Sequence, residues 1–268
     1  MTEQNLVALQ YHAFLKAISI LTQSHFSLFP SPEDTSANVI PEKAEGGVFG
    51  RKAEFFFSHW LKHSPRYEWL AENIQVITDG QTLGELDFIV RDLESKRLLH
   101  IEMACKFYLL KATTTPVWVG PNHRDWLHLK LEKLYHRQFP LLYRPETKKT
   151  LHNMDIAVDH IYQQLYMPGL LFTPYNSTDP VAPGITNRLA FGGQWVSQAH
   201  FKDTGFSRYE FAIPPKENWL LEPGDYQGWS PHQQTFERIW PSLNKRRSPM
   251  LWMRSPGKPA SRLFVVWW

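Results

Sequence analysis

Residues 83–91 and 98–109 are two strand-like apolar runs joined by the short polar stretch 92–96, and no other feature of the chain constrains its fold as tightly. A connection that short commits the runs to an antiparallel hairpin. Centred between Glu94 and Ser95, the hairpin brings together positions whose numbers add to 189, as 87 and 102 do. Side chains alternate along a strand, so Glu85, Asp87 and Ile89 share one face while Leu86, Phe88 and Val90 take the other. On the next run His100, Glu102, Ala104 and Lys106 share a face, opposite Ile101, Met103, Cys105 and Phe107. Asp87 and Glu102 are therefore expected to face each other with Cβ atoms roughly 5 Å apart.

Two carboxylates so placed destabilise a sheet unless a cation stands between them. An all-oxygen set suits a hard ion, Mg²⁺ or Mn²⁺, with Asp87, Glu102 and Glu85 as candidate ligands. Lys106, on the Glu102 face, is the candidate base or charge-stabilising group, and Glu54 the candidate supporting acid.

The flanking segments supply a frame. Residues 49–63 read as a helix with Ala53, Phe56, Phe57, Trp60 and Leu61 on one stripe and Glu54 at its margin, ended by Pro65. Residues 69–78, before the Asp79-Gly80 turn, read as a third strand. A helix is expected over 124–139, with Leu127, Leu131, Leu134 and Tyr135 inward and Lys130 and Gln138 on the same side, closed by Pro140. Another helix over 154–166 and a strand over 169–173 follow, and a first helix is expected over 6–21 along Leu6, Leu9, Ala13, Ala17, Ile20 and Leu21. The expectation is an α/β protein with three parts: helix and linker over 1–45, an α-β-β-β-α core with a mixed sheet over 46–175, and a β-rich extension over 176–268.

The chain of 268 residues is long enough for a full core, and its net charge of +3 is too small to argue by itself for nucleic acid. Lys245, Arg246, Arg247, Arg254, Lys258 and Arg262 form a run without acidic residues; a solvated face is the ordinary reading and a phosphate-tracking patch the functional one. The single cysteine, Cys105, excludes an internal disulfide and a thiolate-built zinc site. No signal peptide or membrane-length apolar run is evident, so a cytoplasmic location is expected. His59 and His63 lack a third ligand and a neighbouring glutamate, and alternation aims Cys105 at an apolar face. No nucleotide-binding loop or nucleophile elbow is present.

The runs Gly84-Glu85-Leu86-Asp87-Phe88-Ile89-Val90 and His100-Ile101-Glu102-Met103-Ala104-Cys105-Lys106-Phe107-Tyr108, with the Glu54 helix, resemble the core of the PD-(D/E)XK, or restriction-endonuclease-like, superfamily. With Trp118-Val119-Gly120-Pro121-Asn122 and Arg124-Asp125, the chain more closely resembles an uncharacterised bacterial family, domain of unknown function 1853. The closer resemblance implies the fold and supplies no established activity; the PD-(D/E)XK resemblance implies a Mg²⁺- or Mn²⁺-dependent nuclease acting on DNA or RNA, with Asp87, Glu102, Lys106 and Glu54 catalytic and Lys130, Gln138 and Arg124 touching the nucleic acid. A non-catalytic binding scaffold and a small-molecule phosphoesterase are the alternatives. One departure stands out. The superfamily places its second acid two positions before the lysine, where this chain has Ala104, and Glu102 to Lys106 spans ~13 Å along a straight strand.

Overall fold

A computed structural model describes residues 2–32, 39–43, 49–177, 184–224 and 228–268; residues 33–38 and 44–48 of the expected linker, with Gly46-Gly47, lie outside them. The protein is mixed α/β. In chain order its elements are α1 (Glu3–Lys16), β1 (Ser27–Leu28), α2 (Phe49–His63), β2 (Tyr67–Thr78), β3 (Gln81–Asp92), β4 (Arg97–Met103), β5 (Lys106–Lys111), β6 (Val117–Val119) and α3 (Leu127–Lys133). A π-helical turn, Leu134–Gln138, joins α3 to α4 (Phe139–Leu141), and α5 (Pro145–His152), β7 (Ile161–Tyr166), β8 (Gly169–Pro174), β9 (Phe191–Ser197) and α6 (Gln198–Phe201) follow. Then come β10 (Glu210–Ala212), β11 (Ser230–Pro231), α7 (His232–Asn244), β12 (Met250–Arg254) and β13 (Ser261–Val266).

These form two units interleaved in sequence rather than a core with an appended extension: residues 1–105 with 129–168, and residues 106–128 with 169–268. The first unit carries a mixed five-stranded sheet in the order β1-β7-β4-β3-β2. Its hairpins are antiparallel and β7 runs parallel to β4. The second carries an eight-stranded sheet in the order β11-β10-β12-β13-β9-β8-β5-β6.

Aromatic side chains build one core of the first unit. On α2, Phe57 meets Phe88 edge-on at 5.1 Å and lies 4.9 Å from Tyr166, with Phe29, Trp60 and Tyr67 around it. A second, aliphatic cluster of Ile74, Val76, Leu86 and Ile89 from the sheet packs with Leu141, Leu142, Leu151, Ile156 and Ile161. Asn73, with φ of +53°, lies in β2 between Ala71 and Ile74, both of which join this cluster.

The β3–β4 hairpin takes the expected register, from Asp92↔Arg97 to Phe88↔Ile101. Its turn is fastened by Asp92, which accepts from Arg66 Nε and Nη2, Ser95 Oγ and the Glu94 N–H. Burial alone would lift the Asp92 carboxyl; those donors outweigh it and hold the group below its ordinary pKa. A depressed carboxyl stabilises above its unfolded pKa and loses that contribution as pH falls through the folded one. Asp92→Ala is therefore expected to cost about 1–3 kcal/mol at pH 7 and progressively less towards pH 3, checked by urea unfolding.

Several expectations need correction. The long strand over 98–109 is two strands in different sheets, because Ala104 N–H turns to Tyr166 O and β5 then pairs with β8. Residues 154–166 are not a helix: Ile161–Tyr166 form β7, since parallel pairing to β4 overrides a pattern readable either way. The first helix ends at Lys16 and buries Val7, Tyr11, Phe14 and Leu15, leaving Leu9 exposed. Tyr135 is 50% exposed, and Pro140 sits inside α4 rather than closing α3. Helix α7 lies within the segment expected to be β-rich. In the second unit a Cβ on Gly169 would lie 1.8 Å from the Lys106 carbonyl oxygen, so only glycine permits that parallel approach.

Candidate active site

Backbone pairing between β3 and β4 stops at Phe88↔Ile101, one step short of Asp87 and Glu102. Beyond that point the strands are joined by a side chain, since Asp87 Oδ2 accepts the Met103 N–H at 2.9 Å. Asp87 is half-buried, whereas Glu102 is only 3% exposed.

Burial first, then the charges of Glu102 and Glu54, push the Asp87 carboxyl up to about 8; the Met103 N–H and the positive charge of Lys130 oppose the rise. Glu54, half-buried on α2, is also raised, by burial and by Glu85, against the pull of Arg51 and Lys130. The structure thus gathers Glu54, Glu85, Asp87 and Glu102 into one electrostatic neighbourhood with Lys130 as an opposing cation.

Glu102 is anchored from the other side. His100, fully buried, and Gln138 reach its Oε1 at 2.9 and 3.4 Å. Gln163 Nε2 donates to the Phe139 carbonyl and also faces His100 Nδ1 at 3.1 Å, which makes Nδ1 the acceptor and leaves Nε2–H to donate to Glu102. Gln138 Nε2 also donates to the Glu85 carbonyl at 2.5 Å, so one side chain of the π turn ties β3 to Glu102. π turns recur at functional positions because they re-aim side chains on a helix.

Lys106 is placed differently from the expectation. Beginning β5 after the break at Ala104 and Cys105, it donates to Asp125 Oδ2 at 2.8 Å, an oxygen Tyr108 also reaches at 3.3 Å. Glu102 and Lys106 lie on strands of different sheets, so strand alternation does not run from one to the other. Arg124 is exposed, beside Asp125. Sequence reasoning missed Asp125 and Gln163; the first stood beside the Gly120-Pro121-Asn122 turn, whose Gly120 N–H bonds the Asp125 carbonyl.

Other candidates resolve simply. His59 and His63 are engaged by the carbonyls of Val39 and His59. Cys105 is half-buried between strands. Within the basic run, Arg254 pairs with Glu210, and Arg262, 6% exposed, donates to the carbonyls of Leu220 and Leu221 and pairs with Glu222.

Among the described residues no three His, Cys, Asp or Glu side chains stand ready to cage a metal, and no helix is long and apolar enough to cross a membrane. A two-carboxylate set nevertheless fits Mg²⁺, which keeps several waters and completes its shell with substrate oxygens. Asp87 Oδ2 and Glu102 Oε1 are the carboxylate oxygens that accept hydrogen bonds from Met103 N–H and from His100 and Gln138.

No curated protein and no solved structure matches the chain. One family model, described as a domain of unknown function, DUF1853, matches residues 31–266. That match leaves out residues 1–30 of the first unit, with α1 and β1, and takes in the Asp87 and Glu102 strands and all but the last two residues of the second unit, and the chain belongs to the DUF1853 family.

Proposed function

We propose that the protein is a metal-dependent nuclease that hydrolyses nucleic-acid phosphodiester bonds, with Asp87 and Glu102 holding Mg²⁺ or Mn²⁺. The gathering of Asp87, Glu102 and Glu54 carries the reading: burial first, and then the charges of Glu102 and Glu54, raise the Asp87 carboxyl, and a cation would offset both. The order of α2, the antiparallel β2–β4 meander and the α3–α5 segment supports the PD-(D/E)XK likeness.

The bound ion would polarise the scissile phosphate and acidify an attacking water. Around it each side chain has its own task. Asp87 and Glu102 supply anionic oxygens, and the chain from Gln163 through His100 fixes the Glu102 rotamer. Gln138 holds Glu102 and the Glu85 backbone together. Glu54 and Glu85 adjust the local charge. Lys130, on the helix that delivers Gln138, is assigned the basic role that sequence spacing gave to Lys106.

The engagement of Lys106 by Asp125 favours a second reading, a nuclease-fold protein that binds nucleic acid without cutting. The two are separated by incubating the full chain with single-stranded DNA, duplex DNA and RNA, with Mg²⁺, Mn²⁺ or EDTA. Hydrolysis that needs metal and falls by ~10²-fold or more in Glu102→Gln supports the nuclease. Metal-indifferent binding with intact strands selects the scaffold.

A further inference from the structure

The second unit contains an open cleft of about 540 Å³ whose lining includes Lys111, Tyr175, Trp195, Ser197, His200 and Trp268. Its indoles are fixed from behind. Trp195 Nε1–H donates to the Leu110 carbonyl at 2.9 Å, and Trp268 Nε1–H to the Pro121 carbonyl at 3.1 Å. Their centroids are 5.0 Å apart at 45°. The Tyr175 N–H bonds the Trp195 carbonyl at 2.9 Å, which ties the third ring to the same strand. With both indole N–H groups already satisfied, what these rings offer a ligand is their π surface.

The charge narrows the choice of ligand. Lys111 Nζ stands 5.5 Å from the Trp268 centroid, and among the described residues no Asp or Glu side chain lines the cleft. A resident ammonium repels quaternary amines and basic peptides, the usual guests of aromatic cages. A flat ligand carrying negative charge satisfies both the ring faces and the cation.

We propose that this cleft is a stacking site for the bases of a single-stranded nucleic acid, with Lys111 taking an adjoining phosphate. Unpaired strands present the base faces that a duplex keeps stacked. The proposal rests on the nucleic-acid reading above for its class of ligand, and it uses none of the acidic residues.

The test uses the full chain in EDTA, with a labelled oligothymidylate of about ten nucleotides and an abasic strand of equal length, read by anisotropy and tryptophan fluorescence. The oligothymidylate is expected to quench tryptophan emission and to bind ~10-fold or more tighter than the abasic strand. Trp268→Ala is expected to weaken it by a similar factor. Because that change also removes the bond to Pro121, Lys111→Glu serves as the variant that spares the packing, with weaker binding and a shallower salt dependence expected.

Binding is read in EDTA, so a failure of hydrolysis alone leaves this proposal standing. Equal binding of the abasic strand, or unchanged binding by Lys111→Glu, overturns it. So does shielding of the tryptophans from acrylamide by a proline-rich peptide but not by the oligonucleotide.

Discussion

Asp87→Asn is expected to reduce metal-dependent hydrolysis by on the order of 10³-fold while making the metal-free fold more stable at alkaline pH. The amide keeps the size of the side chain, and its carbonyl oxygen still accepts the Met103 N–H. What disappears is one proposed anionic ligand and one charge in an already negative neighbourhood. Loss of activity with retained or improved folding is a combination that simple damage to the structure does not produce.

The pH dependence follows from the direction of the shift. Asp87 in the folded chain titrates near 8, above the usual carboxyl value, so its contribution is fully present below the unfolded pKa and is lost as pH rises through the folded one. Between about pH 4 and pH 8 the unaltered protein, held in EDTA, should therefore lose stability on this account, by an amount on the order of a few kcal/mol. Asp87→Asn should flatten that slope. Added Mg²⁺ should do the same for the unaltered protein, because a cation that binds only the folded, ionised site stabilises it. Urea unfolding from pH 5 to 9, with and without Mg²⁺, measures all of these effects. A slope that is identical in Asp87→Asn would remove the carboxylate cluster as its cause.

The hairpin and α2 were legible because their signals are local. The six residues 92–97 between two apolar runs leave little freedom in register, and the pairs from Asp92↔Arg97 to Phe88↔Ile101 obey it. The stripe of Ala53, Phe56, Phe57, Trp60 and Leu61 likewise buries as a unit. The break at Ala104 and Cys105 was not legible, since nothing in Met103-Ala104-Cys105-Lys106 punctuates a strand. Its signals lie more than sixty positions away, where Tyr166 offers a carbonyl to Ala104 and Pro168 has no N–H with which to extend a ladder. The same distance hid β7, whose Ile161, Leu165 and Tyr166 fit a helix until β4 is placed beside them. Interleaving of the two units is invisible for a related reason: each unit is completed by segments that return after a long excursion.

That break decides which lysine to test. Lys106→Met removes a half-exposed ion pair with Asp125, for which a stability cost of about 1 kcal/mol or less is expected. Lys130→Met removes the cation that holds down both Asp87 and Glu54. If Lys130 stabilises charge developing on the phosphate, its loss is expected to lower kcat by roughly 10²-fold, with a smaller effect from Lys106→Met. A purely structural role for Lys130 would predict parallel losses of activity and of urea stability, and Lys130→Arg would then restore both together. A charge role predicts restored stability with incomplete recovery of kcat, because a planar guanidinium does not reproduce a compact ammonium. The opposite ranking, with Lys106→Met the more damaging to kcat at unchanged stability, would return the basic role to the lysine that follows Glu102 in sequence. The spacing of about 13 Å along a straight strand would then no longer be an objection, since the strand is not continuous between the two residues.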